Sequence, residues 1–270
     1  MSLSKKTVGA YTSAISRMEG RSAEDAVPWI KSQEWSDSYK KMSLSALSYR
    51  EKQAGRSVPT VVTAAIKDLA IKTSVKEKEQ KLTDKEKEKY VQWDSIIEAR
   101  DKATLTGQDA LIVALYTMTA PVRLDYTPMV VLRKTPTKAQ IQSYKAAGSN
   151  LCVLLPRTPS FHFLNYKTAT TYGDVKLPIP KALADVIRAQ NIPNGSYLLT
   201  VGGEPMTDEY LSARVRRLFH DMTGKNVGIN ILRHSYISKV RQGELSLPQK
   251  EALSKSMLHS PYESELYRKI

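Results

Sequence analysis

The chain has 270 residues with 41 Lys+Arg against 27 Asp+Glu, a formal net charge of +14, so a polyanion is the partner its surface is suited to. Its one cysteine, Cys152, excludes an internal disulfide and a thiolate metal cluster, and points to a reducing compartment. No apolar run approaches the roughly 20 residues of a membrane span, and the start "MSLSKKTVGAYTS" lacks the apolar stretch of a secretory leader, so a soluble intracellular protein is expected.

In chain order, the first segments are helical. "KKTVGAYTSAISRM" (5–18), "AEDAVPWIKSQ" (23–33), "SDSYKKMSLSALSYREKQA" (36–54) and "VPTVVTAAIKDLAIKTSVKEKEQK" (58–81) space their apolar residues by three and four, and nothing among them reads as a strand. Apolar content then falls through "KEKEQKLTDKEKEKY" (76–90), a solvated linker or helix face. A domain boundary belongs there, between an α-helical part at 1–82 and a second part at 88–270.

The second part alternates. "DALIVALYTMT" (109–119) is apolar nearly all round and predicts a buried helix ended by Pro121. "LCVLLP" (151–156), "FHFLNYKT" (161–168) and "DVKLPIP" (174–180) read as strands of a small antiparallel sheet, the last two joined across "ATTYG". Four helices follow, over 181–190, 208–224, 230–240 and 248–257. A last short one is announced by Ser260, Pro261 and Glu263 in the pattern of a capping box. The fold class is therefore α+β, mostly helical, with an N-terminal α-helical domain and a mixed second domain.

Metal and nucleotide motifs are missing. His162, His220, His234 and His259 show no His-Glu-x-x-His spacing, there is no Cys-x-x-Cys, and no Gly-rich phosphate loop with Lys-Ser/Thr is present. Asp125, Asp174 and Asp208 share no motif for two-metal chemistry. Phosphate chemistry without a metal or cofactor needs cationic donors and a protein nucleophile. Candidates occur in order: Arg123 in "TAPVRLDY", Lys167 in "NYKTATTYG", Asn230 and Arg233 in "NILRHSYIS", His259 in "MLHSPYESELY", and Tyr267 eight residues later.

This order and these contexts resemble the tyrosine recombinase (phage-type integrase) family, from about residue 88 onward. The motif forms look most like the integrases of large DNA viruses, their satellites and related transposons. The resemblance implies that the helical part is a core-binding domain, and that the two domains close on duplex DNA as a C-shaped clamp. It implies a role for each matched residue. Arg123 and Arg233 grip the scissile phosphate, each guanidinium fork bonding two oxygens. Lys167 protonates the departing 5′-oxygen, with Lys176 on the returning strand as its competitor. His259 donates to the same phosphate. Tyr267 attacks phosphorus to give a 3′-phosphotyrosyl enzyme, so that religation needs no ATP. Tyr262 is the rival hydroxyl, about 140° away on an ideal helix.

One position departs from the pattern. Most relatives carry His or Lys where this chain has Asn230, which can donate a hydrogen bond to phosphate but carries neither charge nor proton. Beside Arg233, His234 and Tyr236 read as packing or supporting groups. The family also often has a further C-terminal segment that docks into a neighbouring protomer, whereas this sequence ends at Ile270, so subunits are expected to associate differently unless residues follow it. The implied partner is double-stranded DNA, bound by a homo-oligomer, a tetramer, with no metal or small-molecule cofactor. Two alternatives remain open from the sequence: type IB topoisomerase-like relaxation, and a catalytically inactive DNA-binding relative.

Overall fold

The computed structural model describes residues 5–79, 81–243, 245–260 and 267–268. The chain divides into two compact units, Met1–Lys81 and Leu82–Ile270.

In the first unit, α1 (Lys5–Arg17), α2 (Ala23–Ser32), α3 (Asp37–Gln53) and α4 (Thr60–Lys78) follow the apolar spacing read from the sequence. Ser22 and Ser36 start α2 and α3, each hydroxyl accepting an otherwise unpaired first-turn N–H. The helix α3 packs on the other three. Ile30, Leu44, Leu47 and Val62 are fully buried between them, each contributing about 1.5–3 kcal/mol of hydrophobic stabilisation. Glu51 is buried beside this core and is held by Arg50 and Arg56 at 2.9 and 2.6 Å.

The second unit opens with α5 (Asp84–Lys89), which lies inside the charge run and forms because Thr83 and Glu86 make a reciprocal capping box. The elements α6 (Trp93–Lys102), α7 (Gly107–Thr117), β1 (Met129–Leu132), α8 (Lys138–Ala146), β2 (Asn150–Val153) and β3 (Ser160–Phe163) follow. Next come α9 (Ala169–Tyr172), β4 (Val175–Pro178), α10 (Lys181–Ala189), β5 (Thr200–Val201) and β6 (Glu204–Pro205). The unit continues through α11 (Asp208–Thr223), α12 (Ile229–Val240) and α13 (Leu247–Ser256). Gly224, at φ 71°, ends α11 in the left-handed conformation that a side chain disfavours.

The sheet runs β1-β2-β3-β4. Its β2-β3-β4 part is antiparallel, with Phe161 opposite Leu177, as the sequence indicates. The strand β1 was not expected. It adds a parallel edge, Met129 opposite Asn150, reached through α8. Two further expectations need correction. The helix α7 stops at Thr117, with Met118 as its cap, so Pro121 lies in the loop beyond and does not end it. The "ATTYG" connection is no plain hairpin turn, because residues 169–172 form the single helical turn α9. The last helix, announced by Ser260, Pro261 and Glu263, falls on 261–266, outside the described residues. The core, with Leu111, Leu115, Phe163, Leu183, Leu211, Phe219 and Leu232, lies between α7, the sheet and the later helices.

Candidate active site

The first site residue is placed by the buried helix α7. Tyr116 at its end is fully buried and donates its hydroxyl hydrogen bond to the main-chain oxygen of Arg123 at 2.6 Å. Tyr126 bonds back to the oxygen of Leu115 at 3.1 Å and meets Tyr116 edge to face. The loop carrying Arg123 is thus clamped at both ends. Asp125 accepts from the main-chain N–H of Arg123 at 3.0 Å. Among the described residues no ion pair is formed by the Arg123 guanidinium, so an ion pair with Asp125 is not what occupies it. Burial raises the Asp125 carboxyl above the usual carboxylate range.

Arg233, on α12, is fully buried. Its Nη1 donates to the oxygens of Pro121 and Met257 at 2.7 and 3.2 Å, and its Nη2 to His259 Nδ1 at 3.0 Å. These partners are neutral. Among the described residues no carboxylate pairs with this guanidinium, and its Nε has no hydrogen-bond partner. Burial lowers its pKa below the ordinary arginine value, with Tyr267 opposing and the charge of Arg123 acting in the same direction as burial.

His259 is set by how α13 ends. The N–H of Leu258 bonds to Lys255 O, and that of His259 to Ser254 O, both at about 3.1–3.2 Å, the paired pattern of a Schellman cap. Leu258 takes the left-handed position at φ 56°, where a side chain costs about 1–2 kcal/mol. Since an arginine only donates, Nδ1 of His259 accepts and the proton sits on Nε2. That Nε2 is buried and has no partner among the described residues. Burial first, then the charges of Arg233 and Arg123, push the His259 pKa down to about 3. The imidazole is neutral at pH 7 and offers one unclaimed N–H.

This shift has a measurable sign. In the unfolded chain His259 takes a proton near pH 6.5, whereas in the fold it stays neutral to about pH 3. Acid therefore favours unfolding through that window, by about 1.4 kcal/mol per pH unit for one proton. His259→Asn, which keeps an acceptor for Arg233, is expected to flatten this slope between pH 6 and 4 in urea-midpoint measurements. An unchanged slope would mean that His259 is protonated in the fold.

Tyr267 completes the cluster. The guanidinium carbon of Arg233 lies 4.7 Å from its ring centroid, and the His234 and His259 rings lie 4.8 and 5.4 Å away. Arg233, His259 and Tyr267, far apart in sequence, are thereby brought together, and the charge of Arg123 acts on both Arg233 and His259. Lys167 and Asn230 are exposed, and among the described residues no hydrogen bond or ion pair joins either of them to this cluster. The loop of Lys167 does adjoin the site, because the hydroxyl of Thr168 donates to the oxygen of Leu258 at 3.3 Å. Lys176 sits on β4 opposite His162, within the sheet. Tyr262 lies outside the described residues.

The sequence gives His234 as a packing or supporting group, and its Nδ1 lies 2.8 Å from the main-chain oxygen of Tyr267. Its position next to Arg233 was the only signal. Tyr236 does pack, edge to face on Trp93 at 5.0 Å.

No family model matches the sequence, and no curated protein matches it. Over 99% of this chain and 88% of the other, the fold is similar to the crystal structure of XerA recombinase, at 13% identity and a TM-score of 0.47. Over 97% of this chain and 82% of the other, it is similar to the integrase from mycobacterium phage Brujita, at 14% identity and a TM-score of 0.43. Both likenesses are of fold. Among the described residues no helix is long and apolar enough to cross a membrane.

Proposed function

We propose that this chain is a site-specific DNA recombinase of the tyrosine recombinase type, which cuts and rejoins strands through a 3′-phosphotyrosyl intermediate. One observation carries the reading: among the described residues Arg233 is fully buried without a carboxylate partner and lies with the neutral His259 beside Tyr267, and the charge of a second arginine, Arg123, acts on both Arg233 and His259. A buried cation with only neutral partners is costly, and an anion is what relieves it. A phosphodiester supplies that anion and a phosphorus for Tyr267 to attack.

In this reading Arg123 and Arg233 bind the non-bridging oxygens and stabilise the charge that grows on them in the transition state. The Nε2–H of His259 adds a third donor. The Tyr267 oxygen forms a bond to phosphorus as its own proton passes to solvent water, and Arg233 beside the ring favours the phenolate. The bond from phosphorus to the 5′-oxygen breaks, and that oxygen takes a proton from Lys167, whose exposed loop next to His259 leaves it free to reach into a DNA groove. Religation runs the same steps in reverse. Exchange between two duplexes needs four such sites, so the chain acts as a homotetramer on DNA. The net charge of +14 suits that partner.

The test is incubation with nicked suicide duplexes taken from DNA flanking the gene, followed by denaturing electrophoresis. A denaturation-resistant protein–DNA adduct is expected. DNA binding without an adduct favours the inactive relative, and relaxation of supercoils without joining of two duplexes favours the topoisomerase-like alternative.

The role of Lys167 has its own expected result. Lys167→Ala slows cleavage of an ordinary 5′-oxygen substrate by about 10²–10⁴-fold, yet barely slows a 5′-thio substrate, whose leaving group departs unprotonated. Equal slowing of both would assign the proton to Lys176 or leave Lys167 a purely positional role.

A further inference from the structure

His234 is nearly fully buried on α12, and a carbonyl oxygen only accepts, so its Nδ1 carries the proton donated to Tyr267 O at 2.8 Å. On the far side of the ring, Nε2 faces Glu86 Oε1 at 3.7 Å. That carboxylate is itself fixed, accepting from the Thr83 N–H and hydroxyl at 2.9 Å each. The rest of this strip of α12 is pinned to the same segment of chain. Ser235 donates to Val91 O at 2.6 Å, and Lys239 pairs with Asp94 at 2.6 Å. Of these side chains, His234 is the one that reaches on to Tyr267.

We propose that His234 is the positioning residue for Tyr267, an inference that rests on the reading of Tyr267 as nucleophile. The bond falls on the carbonyl of the reacting residue itself, so it limits where the Cα lies. The imidazole, tilted against the phenol ring at 4.8 Å between centroids, limits how the phenol turns. Attack at phosphorus tolerates little error, since a displacement of about 1 Å costs about 10²-fold in rate.

Three substitutions separate a hydrogen bond from mere packing. His234→Asn keeps an amide donor near the Nδ1 position, His234→Gln moves the donor outward, and His234→Leu removes it while retaining bulk. Two readouts are taken on the full chain: single-turnover adduct formation on the suicide duplex, with DNA affinity measured alongside, and the ¹⁹F resonance of 3-fluorotyrosine placed at position 267 without DNA.

His234→Leu and His234→Gln are expected to slow adduct formation by about 10²-fold at unchanged affinity and to move or broaden the resonance. His234→Asn restores both. Unchanged rates and an unmoved resonance in His234→Leu overturn the proposal, as does a His234→Asn variant no better than His234→Leu. If the unsubstituted protein forms no adduct but the resonance still responds to Leu and is retained by Asn, the hold on Tyr267 stands and the recombinase reading falls.

Discussion

Tyr267→Phe is expected to abolish the covalent protein–DNA adduct while leaving fold and DNA affinity nearly intact. The substitution removes one oxygen and retains the ring, which keeps its place against Arg233, His234 and His259 at 4.7–5.4 Å. The bond from His234 falls on the main-chain oxygen, which phenylalanine also has. The loss to stability is at most that of one hydrogen bond, about 1 kcal/mol. The loss to chemistry is complete, since the atom that bonds phosphorus is gone and His259, the neighbouring polar group, is a neutral donor. Tyr262→Phe should retain the adduct. An adduct that survives Tyr267→Phe and disappears with Tyr262→Phe would assign the nucleophile to the rival hydroxyl.

Arg233→Ala is expected to lower the cleavage rate by about 10³-fold or more, because a guanidinium fork acts on charge that exists only in the transition state. A second effect follows from its burial. Arg233 also ties α12 to Pro121 and Met257 through their main-chain oxygens and orients His259. Its removal leaves those acceptors without their donor at about 1–3 kcal/mol each, so the variant should melt lower than the unsubstituted protein. The kinetic and structural losses are separated by measuring cleavage well below the melting transition and by Arg233→Lys, which retains the charge without the planar fork. Arg233→Lys should regain much of the stability but remain about 10²-fold slow. Full activity in Arg233→Lys would contradict the role of the fork.

The sequence was most readable where one physical signal dominated. The helices α1 to α4 appear within three residues of their expected bounds because each buries one apolar stripe at the helical period, as Leu44 and Leu47 do on α3. The strand β1 left no such mark. Its four residues are all buried, so they show no alternation, and a parallel partner reached through α8 has no turn signature. Nor did α5 stand out, since six charged residues have no apolar face and their helix depends on the Thr83–Glu86 box. At the site, residue types and order pointed to Arg123, Arg233, His259 and Tyr267. The tautomer of His259, the neutral partners of Arg233 and the bond from His234 to Tyr267 depend on atoms brought together from α7, α12 and the end of α13, which local sequence does not encode. Lys167, named with Lys176 as its competitor, and Asn230, the one departure from the pattern, are both exposed.

Tyr267 is expected to become joined to DNA. The protein is trapped on a nicked suicide duplex, the adduct is digested with protease and nuclease, and the nucleotide-bearing peptide is located by mass spectrometry. The expected product is a phosphotyrosine at Tyr267 carrying the 3′ end of the cleaved strand. A nucleotide found on Tyr262 or any other residue, a 5′ linkage, or DNA that is bound and never attached, would contradict it.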